Sequence, residues 1–225
     1  MSLHEYTDLT QGSDEWLAAR RGIVTASTVG QLITAKTIKP AVNDYSRALT
    51  ATLVAERITG WTEEAFVSAA MMRGNMDEPI ARDHYSRTYA PVTQTGFMVR
   101  DDWGYPIGYS PDGLVGGAGL IEIKSREPKK HLSTILSGEV PPENVAQIEA
   151  GLLVSGREWC DYVSYCGGMP MWVKRVYPDS RWFDAITDAV ETFERTAAAM
   201  VDAYTAAVIG LPTTERINYF QEASL

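Results

Sequence analysis

The chain has 225 residues, of which 45% are hydrophobic and 22% are charged, and its formal net charge is −9. These proportions are those of an ordinary globular protein, and no stretch approaches the ~20 uninterrupted apolar residues that cross a bilayer. Composition therefore argues against a membrane span. The length allows one large domain or two small ones, and we expect a single domain over residues 1–225.

The N-terminus and the cysteines indicate the compartment. The first residues, MSLHEYTDLTQGSDEW, are polar and acidic and lack the apolar segment of a secretory signal peptide. Cys160 and Cys166 fall on one predicted strand, where a rise of ~3.3 Å per residue holds them too far apart for a disulfide. We therefore expect a cytoplasmic protein with reduced thiols and no four-cysteine metal site.

Charge is distributed unevenly along the chain. Residues 1–130 carry a net charge of −2, and residues 131–225 carry −7. Within 20–57 there are six basic and two acidic residues. This local surplus is compatible with a surface that faces phosphate groups, and equally with an ordinary mixed surface.

Four helices are predicted in the N-terminal part, because each segment combines apolar residues at helical spacing with a cap or a terminal glycine. They lie at 13–22, from Thr25 onwards, at 43–59 and at 65–89. Pro79 interrupts the fourth pattern, where it either begins a new helix or kinks a long one.

The pattern then changes to that of strands and later returns to helices. Strands are predicted at 96–100, 105–110, 119–125, 159–166 and 171–177, and helices at 129–137, 143–154 and 181–208. We expect the first three strands to form the core of one sheet, and the last helix to pack across it. This order of elements predicts an α+β fold with a mixed central β-sheet flanked by helices.

The segment SPDGLVGGAGLIEIK carries the sharpest chemical pattern in the chain. It puts Asp112 at the end of one strand and both Glu122 and Lys124 on the next, where the glycine-rich loop between them allows the chain to reverse. Side chains alternate along a strand, so Glu122 and Lys124 share one face and the neighbouring isoleucines point to the other. Two carboxylates and an amine are therefore expected to meet at one edge.

Such a group suits a hard divalent cation. Mg²⁺ prefers oxygen ligands and is often held by one or two carboxylates together with water and substrate phosphate. A bound cation lowers the pKa of water and neutralises phosphodiester charge, and Lys124 is suited to orient that water or to offset phosphate charge. A bare E-x-K is more often a surface ion pair, but P-D upstream of it is the signature of restriction-endonuclease-like nucleases. No G-K-[ST] follows the glycine loop, so a P-loop is not predicted.

Four blocks of sequence extend this pattern over most of the chain: GSDEWLAARRGIVTAS at 12–27, RGNMDEPIARDHY at 73–85, YSPDGLV with GLIEIKS within 109–125, and NVAQIEAGLLVSGREWCDYVSY at 144–165. With these blocks the chain resembles the lambda-type phage exonucleases, the YqaJ-like viral recombinase family of PD-(D/E)xK nucleases. The resemblance implies a restriction-endonuclease-like fold and a Mg²⁺-dependent enzyme that degrades one strand of linear duplex DNA from a 5′ end. It also implies release of mononucleotides and a 3′ overhang, which a single-strand annealing recombination protein then uses.

The resemblance implies a metal site and the residues that form it. Asp112 and Glu122 match the metal-binding carboxylates, and Ile123 matches the residue whose backbone carbonyl adds a ligand. Glu78 matches a helix-borne acid that completes the site, mainly through water. The implied cofactor is Mg²⁺, two ions per active site, with Mn²⁺ as the alternative.

Further roles follow from the same resemblance. Lys124 matches the catalytic lysine, and Gln147 matches the glutamine that helps to position the nucleophilic water. Met71 occupies the place of an apolar wedge that splits the duplex. Four more residues match a pocket that grips the terminal 5′-phosphate: Arg20, Thr25, Ser27 and Ser110. A guanidinium with hydroxyls at a helix start is a good anion cradle.

The sequence departs from the family at one point and leaves two other functions open. Ser125 and Arg126 stand where Cys-Pro is commoner after E-x-K, which puts the following loop in doubt. The alternatives are a non-catalytic DNA-end-binding recombination scaffold and a related metal-dependent DNA endonuclease.

The resemblance also bears on assembly and location. It implies a ring-shaped homotrimer around DNA, which would retain DNA despite the net charge of −9. It further implies a phage or prophage protein in a bacterial cytoplasm. His4, His84 and His131 have no metal-ligand pattern and are expected at the surface.

Overall fold

The computed structural model describes residues 2–63 and 68–216. The strands within these ranges are β1 (Leu3–Tyr6), β2 (Val24–Thr25), β3 (Ile33–Thr34), β4 (Lys39–Pro40), β5 (Val92–Thr93), β6 (Phe97–Arg100), β7 (Ile107–Tyr109), β8 (Gly113–Val115), β9 (Gly119–Ser125), β10 (Trp159–Tyr165) and β11 (Trp172–Val176). The α-helices are α1 (Asp14–Arg20), α2 (Ala26–Val29), α3 (Asp44–Thr59), α4 (Ala69–Thr88), α5 (Pro128–Ser137), α6 (Pro142–Ser155) and α7 (Ser180–Ala207).

The strands pair into two main sheets and one small hairpin. β9 is the middle strand of a five-stranded sheet with the order β11-β10-β9-β8-β5. It pairs parallel with β10 and antiparallel with β8, so this sheet is mixed, as predicted. A second sheet has the order β1-β6-β7-β2, and β3 pairs with β4. The predicted α+β class is confirmed.

The expectation of one sheet core from the first three predicted strands is wrong. β6 and β7 pair antiparallel with each other, but they hydrogen-bond to β1 and β2 rather than to β9. β8, a three-residue strand that was not predicted, is the one that pairs with β9. A strand this short carries too few residues to display an alternating pattern, so sequence periodicity does not reveal it.

The chain reverses between β8 and β9, as the glycine-rich loop predicted. Gly113 pairs with Ile121 and Val115 pairs with Gly119, while Gly116 takes a positive φ of 55° in the turn between them. Asp112 directly precedes β8. This register brings Asp112 level with Glu122.

Helices cover both faces of the sheet around β9. On one face the buried apolar residues of the sheet and of α4 form one cluster: Ala81, Tyr85, Val115, Ile121, Ile123 and Val163. On the other face Leu120, Cys160 and Tyr162 belong to the larger cluster, which includes Ile148 and Leu152 of α6. The alternation predicted for β9 is therefore confirmed, with its isoleucines toward α4.

The long helices follow the sequence pattern closely. α3 begins after the capping residue Asn43 and ends at Gly60, which has the left-handed φ of 67°. α4 is one continuous helix with Pro79 inside it, and the predicted start at 65 lies outside the described residues. None of the helices in 2–63 and 68–216 is both long and apolar enough to traverse a bilayer.

Two expectations about packing are wrong. α7 packs mainly on α3, α6 and β4 rather than across the sheet, because α6 already covers that face of β9 and β10. His131 is fully buried: its Nδ1 lies 2.8 Å from Ser164 Oγ and its Nε2 lies 2.9 Å from the carbonyl oxygen of Pro170. Cys160 and Cys166 are free thiols, as predicted, and both are buried.

Candidate active site

A cleft of about 440 Å³ lies beside the second half of β9. All eleven residues singled out from the sequence line it: Arg20, Thr25, Ser27, Met71, Glu78, Ser110, Asp112, Glu122, Ile123, Lys124 and Gln147. They come from α1, β2, α2, α4, β9, α6 and the loop between β7 and β8. The fold thus brings together segments that are far apart in the chain.

Glu122, Lys124 and Gln147 form a closed triangle of polar contacts. Lys124 Nζ lies 2.7 Å from Glu122 Oε1 and donates to Gln147 Oε1 at 3.0 Å. Gln147 Nε2 donates to the same Glu122 oxygen at 2.6 Å. Lys124 and Gln147 are thereby held in fixed positions beside one carboxylate.

The second oxygen of Glu122 has no hydrogen-bond partner among the described residues. Glu122 is only 1% exposed, and its Oε2 makes no hydrogen bond within the described part of the chain. An unsatisfied buried carboxylate oxygen costs free energy, and it is the kind of group that a bound cation satisfies.

Asp112 is tied to β9 and to α4. Its Oδ2 accepts a hydrogen bond from the backbone N–H of Ile123 at 2.6 Å. Its backbone carbonyl accepts from Arg82 Nε at 2.7 Å, and the guanidinium of Arg82 also forms an ion pair with Glu78. Arg82 therefore links the acid on α4 to the segment that carries Asp112.

Burial and mutual repulsion shift the pKa values of several ionisable side chains in the acidic half of the cleft, which contains Glu78, Asp112, Glu122 and Lys124. Burial, followed by the charges of Glu122 and Glu78, raises the pKa of Asp112 well above its ordinary value. Burial also raises the pKa of Glu78, with Arg82 opposing the shift. Burial lowers the pKa of Lys124, but the charges of Glu122 and Asp112 outweigh it and leave that pKa above its ordinary value. In the protein alone, the charged forms of Asp112 and Glu78 are therefore disfavoured.

This donor set fits Mg²⁺, although protein side chains alone do not complete a coordination sphere. Within residues 2–63 and 68–216, no three His, Cys, Asp or Glu side chains converge to hold a metal ion. Two carboxylates completed by water and substrate phosphate are nevertheless a common Mg²⁺ site. Asp112 and Glu122 would hold the ion, and the unpartnered Glu122 oxygen would be satisfied by it.

The predicted phosphate pocket forms the other half of the cleft. Arg20 Nη2 lies 3.4 Å from Thr25 Oγ1, which in turn lies 3.1 Å from Ser27 Oγ. Ser110 joins them through Trp16, whose Nε1 donates to Ser110 Oγ at 2.9 Å. α2 is a single turn, so an anion here would be held by the guanidinium and the hydroxyls rather than by a helix dipole.

Trp16 is a site residue that motif reasoning missed. The Arg20 guanidinium lies over its ring, 4.1 Å from the centroid. This stacking, together with the bond to Ser110, fixes the arginine at the mouth of the pocket. The signal was present in the sequence, since residues four apart on a helix lie on the same face.

The two residues that depart from the family pattern connect β9 to both covering helices. Ser125 Oγ donates to Asp77 Oδ2 at 2.6 Å and accepts from Arg73 Nε at 3.1 Å, so it is tied to α4. Arg126 donates to Tyr162 Oη at 2.7 Å and also hydrogen-bonds Asn144 at the start of α6. The loop that was in doubt is therefore anchored on both sides.

Met71 lies at the rim of the cleft with an exposed fraction of 50%. It projects from the first turn of α4, where Ser68 caps the helix. An exposed, flexible apolar side chain beside a polar cleft is suited to contact the face of a base.

Comparison with known proteins gives a consistent result. The family model of the YqaJ-like viral recombinase domain matches residues 15–158. The alkaline exonuclease LHK-Exo from Laribacter hongkongensis is 34% identical, with a TM-score of 0.79 over 89% of this chain and 100% of that chain. Its complex with dAMP gives the same values.

A more distant structure agrees on the fold alone. A phage-related exonuclease from Haemophilus somnus 129PT has a TM-score of 0.62 at 11% identity, over 81% of this chain and 96% of that chain. A search of curated protein sequences gives no match. The restriction-endonuclease-like fold expected from the sequence, and the family resemblance itself, are confirmed.

Proposed function

This chain belongs to the YqaJ-like viral recombinase family, and we propose that it is a Mg²⁺-dependent exonuclease that degrades linear duplex DNA in the 5′-to-3′ direction. Its similarity to an alkaline exonuclease supports a DNA exonuclease that acts in recombination. Release of mononucleotides and a remaining 3′ overhang complete the proposal. The related exonuclease in complex with dAMP supports a mononucleotide product.

One observation carries this proposal. A buried carboxylate, Glu122, has one oxygen shared by Lys124 and Gln147 and the other without a partner among the described residues. Asp112 lies beside it with its own Oδ2 on the backbone of Ile123. Such a half-satisfied site is costly to a protein that uses it only for structure, but it suits an enzyme that takes up a cation.

Two Mg²⁺ ions would neutralise phosphodiester charge and lower the pKa of water. The chain's own residues would do the rest. Lys124 presents a charged ammonium to the scissile phosphate, and Gln147 fixes the direction of that ammonium. Glu78, held by Arg82, would contribute a further carboxylate through water. Mn²⁺ is the alternative ion for the same oxygen ligands.

The other half of the cleft would recognise the 5′ end. Arg20 supplies charge-assisted hydrogen bonds to a terminal phosphate, and Thr25, Ser27 and Ser110 supply neutral ones. Attack of water on the next phosphodiester, with cleavage of its P–O3′ bond, releases a nucleotide that carries the bound phosphate. The remaining strand again ends in a 5′-phosphate, so the pocket can bind the new end.

The remaining parts of the proposal concern strand separation and partners. Met71 would act as the apolar wedge that opens the duplex ahead of the cleft. A ring-shaped homotrimer around DNA would retain the substrate, and a single-strand annealing protein would use the overhang. We place this function in one domain over residues 1–225, in a bacterial cytoplasm.

Digestion of defined DNA ends tests the proposed activity. The purified protein is incubated with 5′-phosphorylated linear duplex, with and without EDTA, and with a covalently closed circle. We expect Mg²⁺-dependent loss of the linear duplex from its 5′ ends and an intact circle. Asp112→Ala should abolish digestion while the protein still binds DNA in a gel-shift assay.

Each alternative gives a different result. Binding without digestion in any divalent cation would favour the recombination scaffold, and cleavage of the circle would favour an endonuclease. Wild-type turnover by the Asp112→Ala variant would refute the metal assignment.

A further inference from the structure

Gly22 links α1 to β2 and is held through both of its main-chain groups by the end of α3. Its N–H donates to Glu56 Oε2 at 2.7 Å, and its carbonyl accepts from Arg57 Nε at 2.6 Å. Gly22 has a φ of +68°, and a Cβ at this position would meet Arg57 Cγ at 2.5 Å. The position therefore requires glycine, both for its backbone conformation and for the close approach of the arginine.

Arg57 is itself anchored by α7. Its two terminal nitrogens donate to the two oxygens of Glu194 at 2.7 and 2.6 Å. Its guanidinium also lies 5.0 Å from the centre of the Phe193 ring. A bidentate pair of this kind fixes orientation as well as charge, so Arg57 meets Gly22 as a rigid group.

The two sides of Gly22 carry different parts of the phosphate pocket. α1 carries Trp16 and Arg20 on one side, and β2 carries Thr25 on the other. The distance between Arg20 Nη2 and Thr25 Oγ1, 3.4 Å, therefore depends on the angle that the chain takes at Gly22. Glu56 and Arg57 do not line the cleft, so they would act on the pocket only through the main chain and through charge.

We propose that Glu56, Arg57 and Glu194 form a clamp on Gly22 that positions Arg20 against Thr25 for binding of the 5′-phosphate. This inference rests on the proposed function. The three side chains are positioning residues, since none of them reaches the pocket. A clamp that served only to stabilise the fold would lower turnover on all DNA ends alike, whereas the positioning role predicts a loss confined to phosphorylated ends.

The ratio of digestion rates on 5′-phosphorylated and 5′-hydroxyl duplexes tests the clamp. Glu56→Ala removes the acceptor of the Gly22 N–H, and we expect it to lower this ratio about fivefold or more, through a higher KM for phosphorylated ends. The rate on 5′-hydroxyl ends should stay within about twofold of wild type. Glu56→Gln should retain the preference, because its amide oxygen still accepts the hydrogen bond.

Two further variants complete the experiment. Glu194→Gln weakens the bidentate pair that anchors Arg57, and we expect it to lower the ratio of rates on phosphorylated and hydroxyl ends about twofold. This variant tests the clamp even if Glu56→Ala does not fold. Arg47→Ala is the matched control, since Arg47 lies on the same helix α3 but pairs, among the described residues, only with exposed Asp44. It should leave the ratio unchanged.

The outcomes separate the clamp from the pocket. The clamp alone would be overturned if the wild-type enzyme prefers phosphorylated ends and the Glu56→Ala and Glu194→Gln variants keep that full preference. An equal loss on both kinds of end would also overturn it. A wild-type enzyme without any preference would refute the pocket and the clamp together, while Mg²⁺-dependent digestion would still support the exonuclease.

Discussion

The two halves of the cleft differ in how far the protein satisfies its own charged groups. In the acidic half, half-buried Asp112 lies beside buried Glu122, and Glu122 Oε2 has no partner among the residues described. In the phosphate half, Thr25, Ser27 and Ser110 make hydrogen bonds to neighbouring side chains. The acidic half therefore contains an unsatisfied carboxylate oxygen, whereas the side chains of the phosphate half already satisfy one another.

This difference is the one that the proposed ligands of the two halves would require. Neighbouring carboxylates repel one another until a cation neutralises them, so the acidic half is unfavourable without a bound ion. Hydroxyls and a single guanidinium do not repel one another and can exchange internal hydrogen bonds for those of a phosphate. We therefore expect changes in the acidic half to affect chemistry and stability, and changes in the phosphate half to affect recognition of the end.

A large effect on the rate, second only to that of Asp112→Ala, is expected from loss of the ammonium in the acidic half. Lys124→Met should lower the rate of digestion about 10²- to 10⁴-fold, because a positioned charged group beside the phosphate is lost. The loss should be the same for 5′-phosphorylated and 5′-hydroxyl ends. Lys130→Met, which removes an exposed lysine from α5, is the control.

A rate comparison on the two substrates measures this prediction. The contrast between the two halves would fail if Lys124→Met slowed only the phosphorylated end. It would also fail if Lys130→Met lost as much activity as Lys124→Met.

A smaller and selective effect is expected in the phosphate half. Arg20→Ala should slow digestion of 5′-phosphorylated ends about 10-fold and leave 5′-hydroxyl ends nearly unchanged, since only the phosphate uses the guanidinium. Initial rates over a range of DNA concentrations should show the change in KM rather than in kcat. Equal slowing of both ends would mean that Arg20 supports folding rather than recognition.

The acidic half could be predicted from sequence because it is local. Asp112, Glu122 and Lys124 lie within 13 residues of one another on a reversing chain, and alternation along a strand fixes which side chains share a face. The phosphate half came from family resemblance, because Arg20 and Ser110 are distant in sequence and only the paired strands β2 and β7 bring their segments together.

What could not be predicted depends on long-range packing. The contacts of Arg82 with the Asp112 carbonyl and of Arg57 with Gly22 join residues 30 and 35 positions apart, and neither pair forms a motif. The burial of His131 depends on how α5 meets β10. Composition and periodicity describe single elements, so they predict the helices well and the partners of these side chains poorly.

A moderate effect on stability should distinguish the halves without DNA. Asp112→Asn removes one carboxylate from the mutually repelling group, so we expect it to stabilise the metal-free protein by about 1 kcal/mol, a rise of about 2–4 °C in Tm. Arg20→Ala should not stabilise the protein in the same way. Thermal unfolding in EDTA and in Mg²⁺ measures both.

Mg²⁺ provides the second arm of this experiment. It should raise the Tm of the wild type more than that of Asp112→Asn, because binding stabilises only a protein that holds the ion. A lower Tm for Asp112→Asn in EDTA would show that the carboxylate is satisfied by the protein alone.

An effect on pH dependence alone, with no effect on digestion, is expected at a buried carboxylate outside the cleft, which separates burial from metal binding. Glu149 follows Gln147 by two residues on α6, so it points away from the cleft, and it accepts a hydrogen bond from the N–H of Asp179 at 3.0 Å. Burial, with the charge of Asp179, raises its pKa from the ordinary 4.5 to about 7. The folded state therefore binds this proton more tightly than the unfolded state does, and the stability that it contributes is lost as the pH rises through the window between these two values.

Glu149→Gln should remove this part of the pH dependence, about 1–3 kcal/mol between the two ends of the window in urea unfolding. Mg²⁺ should leave the pH dependence of the unfolding free energy unchanged. If Mg²⁺ changes it, or if the wild type and Glu149→Gln show the same pH dependence, the carboxylates of the cleft govern this titration instead.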